Sequence, residues 1–483
     1  LRISWLERFR EAAKWLYPGL GVKRWLLVVL AGLLVFMSGL FFFWTQGIIY
    51  QNKVRLMLEF LSSISPHPVW SFLLLVSGIL LLFWGLQQMG NAIASILLPH
   101  HGRRLVEKLY SRRYLEKGPK IVALGGGTGL SVLIRGLKEY TSNITAVVTV
   151  TDDGGSSGRL RDEMGILPPG DMRNCFLALA DTEPLLEQLF QYRFKGCEGL
   201  EGHSFGNLFI AAMTEMMGFN RAIREFSKVL AIRGTVLPVT LEQVTLKARF
   251  ADGSNMEGET NIVKQGKAIE NISLNPPDCT PLAEVISAIK EADAVILGPG
   301  SLYTSVLPNL LVPGVIEAIR ASGALCLYVC NIMTQPGETE GFSASRHLDV
   351  LRKHGCLEII DGIIVNSAHD FPSSLVQKYQ REGAEVVAID YPVLTRLNIQ
   401  IIEAPLLNGS ELARHDSKKL AALIINKLVE RETGLEGLWA YTFISLNGNF
   451  RRAKKEMGDY TCSPFPFSHK KLQRFFQSTF RKV

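Results

Sequence analysis

Two glycine-rich turns in this chain have the chemistry of phosphate sites. The first, Gly125-Gly126-Gly127-Thr128-Gly129, follows the apolar run Ile121-Val122-Ala123-Leu124 and precedes a helical pattern from Leu130 to Leu137. A glycine turn from strand to helix presents backbone N–H groups at a helix N-terminus, where an anion is favoured. It is not G-x-G-x-x-G, because Leu130 and Val132 stand where the third glycine would fall, and no Gly-Lys-Ser/Thr follows to make a Walker A loop. The second turn, Gly298-Pro299-Gly300-Ser301 with Tyr303 just beyond, closes the run Ala294 to Leu297. Its backbone and hydroxyls suit a diphosphate or a sugar. A tight strand–helix connection without a ligand is the plainer alternative.

Three further blocks offer charged and polar groups. Thr151-Asp152-Asp153-Gly154-Gly155-Ser156-Ser157-Gly158-Arg159-Leu160-Arg161 joins two acids to a loop rich in donors. Asp152 and Asp153 at a strand end could hold a divalent cation, Mg²⁺ first among them, or a ribose hydroxyl. Arg159 and Arg161 could grip phosphate or carboxylate oxygens, and an Asp-Gly turn with solvated charges is the alternative. In Pro168-Pro169-Gly170-Asp171-Met172-Arg173-Asn174, Asp171 is either a helix N-cap or a ligand contact alongside Arg173 and Asn174. His203 and Asn207, in His203-Ser204-Phe205-Gly206-Asn207, are either structural or ligand-facing, and Asn331 follows the run Leu325 to Val329. No nucleophile–base pair stands out, so no catalytic residue is assigned.

These residues need elements to position them. From Lys120 onward, short apolar runs alternate with helical patterns: Ile144 to Val150, Ala294 to Leu297, Leu325 to Val329, Ile363 to Val365 and Glu385 to Ile389. That order predicts an α/β fold, a doubly wound, mainly parallel sheet with helices on both faces and ligands at the C-terminal strand ends. Leu237 to Phe250 alternates apolar with polar residues before Asp252-Gly253, which predicts an inserted β-hairpin.

Composition places this domain beside a membrane. The 483 residues are 47% hydrophobic and 20% charged, enough for a packed core, and the seven cysteines form no C-x-x-C pair. Scattered cysteines fit a reducing compartment, and Cys326 and Cys330 read as core residues. Trp25 to Tyr50 and Val69 to Leu98 carry no charge, and each exceeds the roughly 20 residues that span a bilayer. Six lysines and arginines precede the first run and a dense group including Arg103, Arg104, Arg112 and Arg113 follows the second, whereas the connection holds only Lys53 and Arg55. The positive-inside rule then puts both termini and the α/β domain in the cytoplasm, with a short external loop near Ser62 to Pro68. The expected organisation is a cytoplasmic segment 1–24, a transmembrane hairpin 25–98, a basic linker 99–118, an α/β domain 119–430 and a basic extension 431–483. Residues 438–483 hold nine lysines and arginines against two acids, so this tail carries the whole net charge of +7. It reads as a solvated extension or a contact for anionic lipid. No nucleic-acid partner is expected, and a homodimer is compatible with the pattern.

Together the blocks KIVALGGGTGLSVLIRGLK, TVTDDGGSSGRLR, PPGDMRN, HSFGN, GPGSLYTSVLPNLL and CNIMTQPGET resemble the CofD/YvcK-like family, and its YvcK branch closely, over about Pro119 to Val429. The resemblance implies a Rossmann-like domain of the gluconeogenesis-factor type that binds UDP-N-acetylglucosamine and is linked to cell shape and wall synthesis, with wall-synthesis proteins as partners. It also assigns Tyr379 and Arg414 to nucleotide-sugar binding, the first to stack on uracil and the second to pair with the diphosphate. The CofD branch transfers a phospholactyl group and uses a metal. Asp152 and Asp153 match its acidic region, while the GGSSGRLR and PPGDMRN blocks follow the YvcK pattern.

Overall fold

The computed structural model of the protein describes residues 22–51, 68–97, 115–181, 184–196, 199–368, 371–397, 399–409 and 412–431. The expected external loop, most of the basic linker and the basic tail lie outside these residues. The chain forms two compact units, Leu1–Arg113 and Tyr114–Val483.

In the first unit, helices Val22–Gln51 and Pro68–Leu97 pack antiparallel. Within them, Arg24–Trp44 and Val69–Ala92 are long and apolar enough to cross a membrane. Small residues let the two backbones approach. A Cβ on Gly78 would lie 2.7 Å from the Phe36 backbone nitrogen, and one on Gly32 2.8 Å from that of Leu82. Helix pairs in lipid associate through such van der Waals contact, because the tails around them are as apolar as leucine. Trp25 and Trp84 meet edge to face at 5.3 Å.

The second unit is built on an all-parallel seven-stranded sheet: β1 Ile121–Gly125, β2 Ile144–Val148, β3 Thr235–Pro238, β7 Ala294–Leu297, β8 Leu325–Val329, β9 Gly362–Asn366 and β10 Gln400–Ala404. Its order is β10-β9-β8-β7-β1-β2-β3. The chain therefore winds outward from β1 in one direction, then restarts beside β1 at β7 and winds the other way. Strand periodicity divides the core. Val122 and Leu124 enter one apolar cluster, with helices Ala283–Lys290, Val315–Ser322 and Ala344–Lys353. Ile121 and Ala123 enter the other, with helices Gly127–Leu137, Gly170–Leu179 and Ser417–Arg431. Burial on both faces is why these strands read as continuous apolar runs.

The inserted hairpin is present, with different limits. Leu237 belongs to β3 of the main sheet. β4 Thr245–Phe250 and β5 Asn255–Glu257 form the hairpin, and β6 Ile269–Asn275 pairs with the free side of β4 to make a three-stranded antiparallel sheet. The run Glu385 to Ile389 does not join the main sheet. It makes a single bridge, Val386 to Met333. The edge position falls instead to β10, whose mixed polar and apolar sequence reflects one-sided burial.

Helices Gly127–Leu137 and Ser417–Arg431 cross at Gly136, where a Cβ would stand 1.9 Å from the Ser417 carbonyl oxygen. A glycine-to-alanine change inside a helix ordinarily stabilises by up to ~1 kcal/mol. Here Gly136→Ala must push two helices apart and is expected to destabilise by about 1–3 kcal/mol. Urea unfolding followed by circular dichroism gives the sign, and a stabilised variant would refute the contact.

Candidate functional site

The restart of the sheet puts the C-terminal ends of β1 and β7 side by side, the position where open α/β sheets bind ligands. Both glycine turns leave the sheet there. Gly126 caps helix Gly127–Leu137 without a side-chain bond of its own, and the Asp171 carboxyl takes the Gly127 N–H of the first turn. Gly127 has φ +62°, a conformation that favours glycine. Gly129 packs on the second turn so closely that a Cβ would lie 2.4 Å from the Pro299 carbonyl oxygen. Asn309 Nδ2 ties the turns together, donating to the Gly125 and Ser305 carbonyls at 3.0 and 2.8 Å.

A cavity of about 520 Å³ opens over these turns. Gly126, Gly127, Thr128 and Gly129 line one wall, Gly300, Ser301 and Asn331 another, and Tyr379 and Arg414 a third. Among the described residues no carboxylate pairs with the Arg414 guanidinium. The Tyr379 hydroxyl accepts a hydrogen bond from the Ala413 N–H at 3.2 Å, which fixes the loop that carries Arg414. Asn331 Nδ2 donates to Gln335 Oε1 at 3.0 Å.

Acids gather at the other side. Glu259 and Glu338 line the cavity. Burial raises the Glu259 carboxyl well above its usual value, and Asp152, Asp171 and Glu338 add to the effect. Burial also raises Glu338, opposed by the hydrogen bond from Ser301, whose hydroxyl donates to it. Asp171 is not an N-cap: the helix Gly170–Leu179 is capped at Pro169, and Asp171 turns inward to accept the Gly127 N–H. Burial and then the neighbouring Asp152 raise it to about 7.

Several expected contacts are placed elsewhere. The Tyr303 side chain enters the core and faces Phe342, because its strand-end turn coils inward. Arg159 reaches the Glu201 carbonyl, and Arg161 bonds the Val244 carbonyl and Thr245. Ser157 Oγ accepts the Gly170 N–H. Ser156 Oγ shares a hydrogen bond with His203 Nδ1 at 3.0 Å and accepts one from Asn207 Nδ2, so these three form a buried structural network. The acidic pair does not fit a dedicated Mg²⁺ site. Asp152 Oδ1 accepts the Gly154 N–H, whereas Asp153 Oδ1 accepts both the N–H and hydroxyl of Thr260, holding the insert in place. Among the described residues no three His, Cys, Asp or Glu side chains converge at metal-ligand spacing.

Arg173 and Asn174 line a second cavity of about 640 Å³, which shares Thr128, Val132, Arg414 and His415 with the first. His415 is buried, hydrogen-bonded to the Cys330 carbonyl and lowered to about 4 by burial, so its ring is neutral near pH 7. Sequence reasoning missed His415, Glu338, Glu259 and Asn309. Glu338 and Asn309 sit inside the CNIMTQPGET and GPGSLYTSVLPNLL blocks and His415 directly follows Arg414, and a polar residue there was signal enough. Glu259 carries no local signal, since the insert delivers it.

A doubly wound α/β sheet with paired glycine turns at its restart defines a class, the Rossmann-like proteins with a phosphate-type cavity. A family model described as 2-phospho-L-lactate transferase CofD matches residues 121–407. The Gluconeogenesis factor of Bacillus subtilis is 48% identical over 314 residues, 65% of this chain and 99% of its own. A Nostoc relative is 45% identical over 425 residues, 87% of this chain and 93% of its own. That share exceeds residues 114–483, so the Nostoc likeness extends into the N-terminal unit. A crystal structure from Bacillus halodurans superposes with a TM-score of 0.62 at 49% identity, covering 64% of this chain and all of its own. The chain belongs to the CofD/YvcK-like family, on its gluconeogenesis-factor branch.

The raised Asp171 sets a pH dependence. Below about pH 4 its carboxyl is protonated in both folded and unfolded chains. As pH rises from about 4 to about 7, only the unfolded chain releases the proton, so folding loses stability, on the order of 2–4 kcal/mol by pH 8. Asp171→Asn is therefore expected to stabilise the protein at pH 8 and to change it little at pH 4.5. Urea midpoints at the two pH values test this, and equal effects at both would be inconsistent with a buried, protonated carboxyl.

Proposed function

We propose that this protein is a membrane-anchored cytoplasmic regulator that binds UDP-N-acetylglucosamine, or a related nucleotide sugar, and acts through cell-wall synthesis proteins on cell shape during gluconeogenic growth. The observation that carries this reading is the Arg414 guanidinium, which no carboxylate among the described residues pairs, on a cavity that is also lined by a helix N-terminus built of glycines. A diphosphate between them would gain charge-assisted bonds on one side and backbone donors on the other. Tyr379 offers a ring for the base, and the carboxylates of Glu259 and Glu338 are acceptors for sugar or ribose hydroxyls. The name gluconeogenesis factor, carried by the Bacillus subtilis relative, supports the same reading.

Metal-dependent phospholactate-type transfer of the CofD kind is the second reading, favoured by the matching family model and by the acids around Asp171. It is separated from the first by turnover. Calorimetry of the full chain in detergent with UDP-N-acetylglucosamine should give binding without consumption. Arg414→Ala is expected to cost about 1.5–3 kcal/mol, roughly 10- to 150-fold in affinity. Tyr379→Phe keeps the ring and loses only the bond to Ala413, so about two- to tenfold is expected. Unchanged affinity in Arg414→Ala would remove the assignment, and consumption of a phosphorylated donor would select the transferase.

The cytoplasmic placement rests on the lysines and arginines that flank the hairpin. In intact cells a membrane-impermeant thiol reagent should label Ser63→Cys and spare Ser111→Cys, measured in a background whose native cysteines are replaced. The reverse pattern would invert the topology.

A further inference from the structure

The second cavity holds an arginine that the nucleotide-sugar reading does not use. Arg173 is only 7% exposed. Buried arginines are almost always paired with an acid. Yet the bonds of Arg173 go to Ser204 and Asn207 through Nη1 and to Asn174 through Nη2, all neutral groups. Among the described residues its Nε–H has no acceptor. Asp171 and Asp152 act on it only at a distance, and no ion pair is formed among the described residues.

The rest of the cavity does not compensate the charge. Arg135, Arg193 and Arg414 also line it, against the single acid Glu187, which is spent on Arg135 at 3.1 Å. Among the described residues the Arg193 guanidinium is engaged by the Gly202 carbonyl at 2.8 Å and by no acid. Thr128 and Ser131, from the first turns of helix Gly127–Leu137, add hydroxyls to the same wall. A buried cation in a cavity lined by two further guanidinium groups, Arg193 and Arg414, that no acid among the described residues pairs is an arrangement that an anion would complete.

We propose that this second cavity is a separate binding site for a small oxyanion, a phosphate or carboxylate group, held by Arg173 and Arg193 and reaching Arg414 on the wall shared with the first cavity. The site is independent of the nucleotide-sugar reading, because its cations apart from Arg414 lie outside the first cavity. An occupant here would meet any ligand of the first cavity at Arg414, so each would alter the other's affinity.

The test uses the full chain in detergent and calorimetric titration with two probes, inorganic phosphate and citrate, without any nucleotide sugar. Wild type is compared with Arg193→Gln, which removes a cation of the cavity, and with Gln191→Glu, which adds a negative charge to its wall. Arg224→Gln, on an exposed helix and paired with Glu284, is the charge-matched control. At least one probe should bind. Arg193→Gln and Gln191→Glu should each weaken it about tenfold or more, with Arg224→Gln within about twofold. The tighter probe assigns phosphate or carboxylate. Melting curves that overlay wild type exclude misfolding. The proposal is overturned if neither probe binds below about 10 mM, or if either cavity variant binds like wild type, which would leave the anion at the glycine turn. Because no nucleotide sugar is present, failure here and failure of the reading above remain distinguishable.

Discussion

The cavity depends on two backbones meeting without side chains between them. Where β1 and β7 end side by side, Gly129 lies against the Pro299 carbonyl and Gly126 against the Asp171 carboxyl. Any Cβ at these positions would force the turns apart and pull the first helical turn away from the space it faces. Asn309 holds the same junction from below by capping the Gly125 carbonyl. The sheet order makes the junction possible, because only a sheet that restarts beside its first strand leaves two strand ends open to one crevice.

Around that junction the protein separates its charges. Glu259, Glu338 and Asp171 are buried on one side with their carboxyl groups pushed toward the neutral form. Arg173, two residues beyond Asp171 on the same helix, is buried with no acid in hydrogen-bonding contact among the described residues. A structure optimised only for stability would pair these groups or replace them with apolar side chains. Keeping them apart loads unfavourable electrostatics into the cavity walls, and such concentrations mark functional sites.

The insert and the loops after the strands supply side chains that line the cavity. Asp153 anchors the helix Glu259–Gln265 through Thr260, and that helix delivers Glu259 to the cavity. The Tyr379 hydroxyl anchors the loop of Arg414. In both cases a residue expected to touch the ligand holds, or also holds, the residue that lines the cavity.

The sequence by itself determined the α/β class, the two apolar helices and the place of both glycine turns. These follow from local causes: strand runs buried on both faces, uncharged runs longer than a bilayer, and glycines where a backbone must turn into a helix. It also marked Arg173 and Asn174 as positions of interest, whereas Tyr379 and Arg414 stood out only through the family resemblance. Only the tertiary structure decided that Tyr303 packs in the core, that Ser156, His203 and Asn207 bond to one another, and that Asp152 and Asp153 diverge. It also gave the sheet edge to β10 rather than to Glu385–Ile389. A polar side chain beside a glycine looks the same in sequence whether it faces a ligand or a neighbour. The direction of each side chain is set by contacts between segments up to a hundred residues or more apart, as between Asp153 and Thr260, and no local pattern encodes those.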